Sequence, residues 1–132
     1  RTLKVAEISN DPPMNILKGT KSSEKLNFEN ILIKSPSHFK NLSDQSYNFG
    51  IRASEIKLDN QGEEFEIELA EISGSETLLH LKKGESNVIA LIEEVMNFKI
   101  HEKVKIKFNE NKLYAFDQNE ELVSSPYGVS HG

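Results

Sequence analysis

Between Glu63 and Leu69 the chain alternates strictly, with Phe65, Ile67 and Leu69 set against Glu64, Glu66 and Glu68. Successive side chains of a strand point to opposite faces, so this period predicts a β-strand with one face in a core and one in water. The pattern recurs in Val104, Ile106 and Phe108, which alternate with Lys103, Lys105 and Lys107. Turn chemistry punctuates the chain roughly every ten residues. Val5, Ala6 and Ile8 make a short helix end or extended arm that Pro12-Pro13 stops. Residues 15–17 read as strand, 21–25 as a polar turn, and 26–34 as a hairpin broken at Glu29-Asn30. A loop with one helical turn near His38 spans 35–46, and strand character resumes at 47–51. Gly74-Ser75 is a bend between two strands, and Val88 to Ile92 is a continuous apolar run fit for a buried strand. Asn109-Glu110-Asn111 supplies a turn that makes residues 113–116 the partner of 104–108. After Asp117 periodicity is lost, and 123–132 reads as a frayed tail. About eight to ten short strands with this spacing predict an all-β barrel or sandwich.

The chain has 132 residues, enough for one domain with its own core. With no cysteine it has neither disulfides nor thiolate metal sites, which fits a cytosolic setting. No apolar run approaches the length of a membrane-spanning helix, and the N-terminus lacks a signal-peptide pattern. The net charge of -5 repels phosphate polyanions, and 7 Phe, 3 Tyr and no Trp offer poor stacking, so nucleic acid is not an expected partner. The lysine stripe at 103, 105 and 107 reads instead as a solvated strand face that discourages edge pairing.

Catalytic chemistry finds no foothold. A phosphate-binding G-x-x-x-x-G-K-[ST] loop, G-x-G-x-x-G, H-E-x-x-H and G-x-S-x-G are all missing from the letters. His38, His80, His101 and His131 have no metal-ligand spacing. The glutamates at 63, 64, 66, 68 and 71 suit a solvated strand face better than a pair of acid–base carboxylates. Arg52, one of two arginines, suits either an ion pair with Glu55 or Glu76 or anion binding through its forked donors.

Three segments in one order carry a resemblance. Asp11-Pro12-Pro13-Met14-Asn15 is followed by Gly50-Ile51-Arg52 with Glu55-Ile56 behind it, and then by Gly74-Ser75-Glu76-Thr77-Leu78-Leu79. Together they resemble the TOBE (transport-associated OB-fold) module, the C-terminal regulatory domain of ATPase subunits in sugar-type ABC importers. In that family a Pro-Pro-Met-Asn motif precedes Gly-Ile-Arg-Pro-Glu, Gly-(Ser/Asn)-Glu-Thr and a closing Phe-Asp with a glycine turn. Here Ala53-Ser54-Glu55 stands for the direct Pro-Glu, Asn10-Asp11 for Gly-Ser, and Gln118-Asn119 for the closing Thr-Gly. The resemblance covers residues 3–122.

The resemblance implies OB-fold-like small barrels, with 1–14 as a connector from an ATPase domain, 15–122 as the barrel domain and 123–132 as the tail. It implies a non-catalytic regulatory and dimerisation role in a subunit whose ATP and Mg belong to the ATPase domain, with no cofactor of its own. The partners implied are that ATPase domain, a second copy of the subunit, the transmembrane permease subunits and a regulatory protein. The location implied is cytoplasmic, on the inner face of the membrane. Pro12, Pro13, Met14, Asn15, Gly50, Arg52, Gly74, Ser75, Glu76 and Thr77 are the interface or regulatory residues it suggests. Turn chemistry alone also accounts for the segment from Gly74 to Thr77. The alternative function is a free-standing OB-type binder of a small ligand or oxyanion.

Overall fold

A computed structural model of the chain describes residues 13–28 and 31–127. The expected N-terminal arm, Pro12, the Glu29-Asn30 turn, His131 and the end of the tail lie outside the described residues. The fold is all-β with two antiparallel sheets. Its strands are β1 (Met14–Ser22), β2 (Lys25–Phe28), β3 (Ile31–Lys34), β4 (Ser46–Arg52), β5 (Ile56–Ser73), β6 (Glu76–Lys83), β7 (Ser86–Ile92), β8 (Lys103–Phe108), β9 (Tyr114–Phe116) and β10 (Leu122–Ser124). Single turns of 3-10 helix occur at Ser37–Phe39, Ala53–Glu55 and Glu110–Lys112. The described residues divide into two compact units: a framing unit made of those up to Ile51 and from Glu110 onward, and an inserted unit, Arg52–Asn109.

The framing unit is one sheet in the order β10-β9-β4-β1-β2-β3. Its core is aromatic: Phe49 meets Phe28 edge-on at 5.2 Å between ring centroids and has Phe39 and Tyr47 each at 5.7 Å. Each of these large side chains contributes roughly 1.5–3 kcal/mol by leaving water. The helical turn expected near His38 is the 3-10 turn that sends Phe39 into this core. His38 bonds to the carbonyl of Leu113 through Nε2 at 2.7 Å, and Ser124 Oγ donates to the His38 carbonyl at 3.0 Å. Those bonds hold the closing strands, so β10 carries order through Ser124, beyond the point where periodicity fades.

The inserted unit is a second sheet in the order β7-β6-β5-β8. β5 is long because it serves two partners: Ile56 to Glu66 pairs with β8, and Glu66 to Ser73 pairs with β6. Leu58 and Glu63 both stand opposite Ile106, so the residues between them loop out of the ladder. Gln61 N donates to Asp59 Oδ1 at 2.8 Å within that excursion, and pairing with β8 resumes at Glu63. A Cβ at Gly62 would lie 2.1 Å from the Ile106 carbonyl oxygen, so only glycine passes there. Phe65, Ile67, Leu79, Leu81, Val88, Ala90, Ile92 and Ile106 form the core.

Two expectations change. β8 does not pair with residues 113–116; it pairs with β5, while β9 pairs with β4 and β10. The Asn109-Glu110-Asn111 turn therefore ends the inserted unit instead of closing a hairpin. Leu69 also leaves the face of Phe65 and Ile67. Ile67 is opposite Leu81 but Leu69 is opposite His80, so Glu68 is a bulge that flips the later residues, and Leu69 is 43% exposed. The lysines of β8 lie exposed on an edge strand, as the stripe predicted.

Candidate functional site

The residues singled out in the sequence fall into two groups, one in each unit. In the framing unit, Met14 and Asn15 open β1 and are nearly buried. Asn15 Nδ2 donates to the Ile51 carbonyl at 3.2 Å, a buried bond across 36 positions of chain. Gly50 lies against the same residues: a Cβ there would stand 2.7 Å from Met14 Sδ and 3.3 Å from the Phe116 ring. Met14-Asn15 and Gly50-Ile51 are thus one contact, with a thioether seated where a side chain is missing and an amide satisfying a carbonyl at the end of β4. A buried side-chain bond of this kind contributes about 1 kcal/mol, and removing its donor leaves the carbonyl unmet. Pro13 is exposed just before β1. Arg52 is half-buried where β4 passes into the Ala53–Glu55 turn, while the Glu55 carboxylate accepts from Asn109 Nδ2 at 3.1 Å.

In the inserted unit, Gly74 and Ser75 form the exposed turn between β5 and β6. Gly74 has φ 61°, the left-handed region that glycine enters without steric penalty. Glu76 is half-buried beside it, and Thr77 is fully buried. Thr77 Oγ1 donates to the Glu94 carbonyl at 2.8 Å and accepts from Met96 N at 3.1 Å. One hydroxyl therefore fixes the chain leaving β7 against the start of β6. Turn chemistry within Gly74 to Thr77 would keep that hydroxyl local; nothing in the spacing of 77, 94 and 96 signals the longer reach.

Four of the five glutamates in the β5 row, 63, 64, 66 and 71, lie against bases. His101 Nδ1 lies 2.6 Å from Glu66 Oε2, His80 Nε2 lies 2.9 Å from Glu71 Oε1, Lys103 Nζ lies 3.9 Å from Glu64, and Lys83 Nζ lies 3.9 Å from Glu63. The His101 hydrogen bond, helped by the charges of His101, Lys103 and Lys82, holds the Glu66 carboxyl below its ordinary range. In the framing unit, Asp44 is lowered by the Ser23 amide and then by Lys21, whose ammonium is 3.1 Å away. Among the described residues no group of three histidines and carboxylates is arranged to hold a metal ion. Among the same residues no helix is long and apolar enough to cross a membrane.

After Phe116, Asp117 shapes the turn into β10: its Oδ1 accepts from the amides of Asn119 at 2.8 Å and Glu121 at 3.0 Å. Glu120 takes φ 64° there, a position suited to glycine. No protein-family model matches the chain, and no curated protein is significantly similar to it.

Proposed function

We propose that this chain is the regulatory and dimerisation domain of the ATP-binding subunit of an ABC importer for carbohydrates. The observation that carries the reading is the meeting of Met14-Asn15 with Gly50-Ile51. These are two of the three segments on which the resemblance rests. Letters that recur by accident have no reason to meet, whereas letters that hold one strand junction together do. The third segment, Gly74 to Thr77, is likewise a structural joint.

On this reading the domain does no chemistry. ATP and Mg belong to the ATPase domain of the same subunit, and that domain contacts the permease subunits. The present domain pairs with a second copy and offers a surface to a regulatory protein, in the cytoplasm at the inner face of the membrane. Pairing that persists when nucleotide leaves keeps two ATPase domains at high effective concentration, so their closure becomes an intramolecular step.

The test is the coding sequence upstream of Arg1. Roughly 230 to 250 further residues containing a G-x-x-x-x-G-K-[ST] loop are expected, the size of one additional domain. An in-frame stop codon directly upstream would overturn the reading.

A further inference from the structure

Within the framing unit, the β1–β2 turn, the segment leaving β3 and the 3-10 turn at Glu110–Lys112 line a cavity of about 510 Å³. That is the size of a site for a small organic molecule. Part of its wall is Ser35 and Pro36, both buried, directly after β3. The Ser35 amide donates to the Glu24 carbonyl at 2.8 Å, which fixes this segment beside the β1–β2 turn. Pro36, extended at φ -72° and ψ 160°, then leads into the 3-10 turn that Lys40 closes. Phe39 anchors that turn in the aromatic core, so the wall is held by main chain and packing.

Two features of the lining call for a guest. Ser35 is 8% exposed, and its Oγ is a buried oxygen to which the described residues supply no hydrogen-bond partner. A buried hydroxyl left unmet is destabilising, and native chains keep few of them. Its direction is set by a single side-chain torsion, and the cavity is the space that its residue lines. Four charges border the same space: Lys34 and Lys40, with Glu24 and Glu110. Among the described residues none of these four is in an ion pair within 4 Å. Elsewhere in this unit such charges do pair, since Lys21 lies 3.1 Å from Asp44. Both signs are therefore open to a molecule that enters.

We propose that this cavity binds a small zwitterion of the amino-acid class. Its carboxylate lies with Lys34 and Lys40, its ammonium with Glu24 and Glu110, and the Ser35 hydroxyl turns toward it. A simple anion would meet both lysines but also both carboxylates, and a simple cation the reverse. A neutral ligand would cover four charges without answering any. Only a molecule carrying both signs satisfies the whole set. Pro36 and the lysine stems give its carbon chain apolar contact. The site belongs to the framing unit alone and is independent of the importer reading.

NMR titration of the full, isotope-labelled chain tests it, with glycine, β-alanine, γ-aminobutyrate and ε-aminocaproate as probes. These separate the two charges by increasing lengths, and acetate and methylammonium are the single-charge controls. At least one zwitterion should shift the Glu24, Ser35 and Lys40 amides saturably, with a Kd of about 1 mM or below. Each control should bind about tenfold more weakly or worse. Lys40→Gln and Glu110→Gln should each weaken the best zwitterion by about fivefold or more. Ser35→Ala should weaken it by about threefold or more, yet leave the urea midpoint of the free protein level or raised, because the hydroxyl has no partner to lose. A merely structural serine would instead lower that midpoint and leave affinity alone, which would overturn its assignment to the site. A control that binds as tightly as the best zwitterion would overturn the ligand class. Unshifted amides with all four probes up to about 10 mM would overturn the site.

Discussion

Gly50→Ala, taken alone and together with Met14→Ala, tests whether the first two resembling segments form one joint. A methyl group on Gly50 would be 2.7 Å from Met14 Sδ, 3.4 Å from Met14 Cγ and 3.3 Å from Phe116 Cε1. Ordinary contact is about 3.5–4.0 Å, so the sulfur must retreat by about 1 Å. The Phe116 ring is fully buried and cannot yield, whereas Met14 is 8% exposed and flexible. The overpacking costs about 1–2 kcal/mol, offset by about 0.5–1 kcal/mol because alanine restricts the unfolded chain. Met14→Ala alone costs about 2–3 kcal/mol, the lower part of the range for a buried methionine. In the double variant the new methyl enters space that the thioether vacated, so the combined loss falls short of the sum by about 1 kcal/mol. The assay is urea unfolding of all four proteins by circular dichroism at one fixed protein concentration, since self-association would shift the midpoints. Losses that add to within about 0.3 kcal/mol would refute the contact and remove the observation on which the proposed function leans.

Further substitutions probe the inserted unit. Thr77→Val keeps the shape but leaves the Glu94 carbonyl and the Met96 amide without the hydroxyl; a loss of about 2–3 kcal/mol is expected, with hydrogen exchange at Met96 accelerated first. Unchanged exchange there would contradict the clamp. Gly62→Ala should separate β5 from β8 and cost about 3 kcal/mol or more, since the methyl meets main chain that cannot rotate away. The Glu66 carboxyl is held below its ordinary value of 4.5, so its bond to His101 favours the folded state above that value, and the contribution disappears as pH falls through the lowered one. His101→Gln should move the Glu66 midpoint upward in an NMR titration; an unmoved midpoint would refute His101 as the cause.

Strand alternation made much of this fold legible. The bend at Gly74-Ser75, the Val88 to Ile92 strand and the lysine face of β8 follow from period and turn letters alone. The bulge at Glu68 does not, because a side chain left over from a ladder looks like any other glutamate, and it reverses which face Leu69 occupies. The excursion at Asp59-Asn60-Gln61-Gly62 is written in turn letters, yet the strand resumes its pairing beyond it. The partner of β8 was hidden for a similar reason: Asn109-Glu110-Asn111 has the same turn chemistry whether the chain doubles back or crosses to another sheet. Of the candidate site, the letters could be found but not their joining. The Asn15 bond runs from a side chain to main chain across 36 positions, and no local pattern encodes that.

The inserted unit also bears on the order in which the chain folds. β9 must find β4, although all of Arg52–Asn109 lies between them. Left as loose chain, that stretch would make the closure slow and entropically costly. Its ends, however, are stitched together: Asn109 N donates to the Glu55 carbonyl at 3.0 Å, and Asn109 Nδ2 reaches the Glu55 carboxylate. Once this unit has folded, the long connection behaves as a short one. Pairing of β4 with β9 should therefore be a late event that waits on the inserted unit, and pulsed hydrogen exchange should protect β5 and β6 before β9.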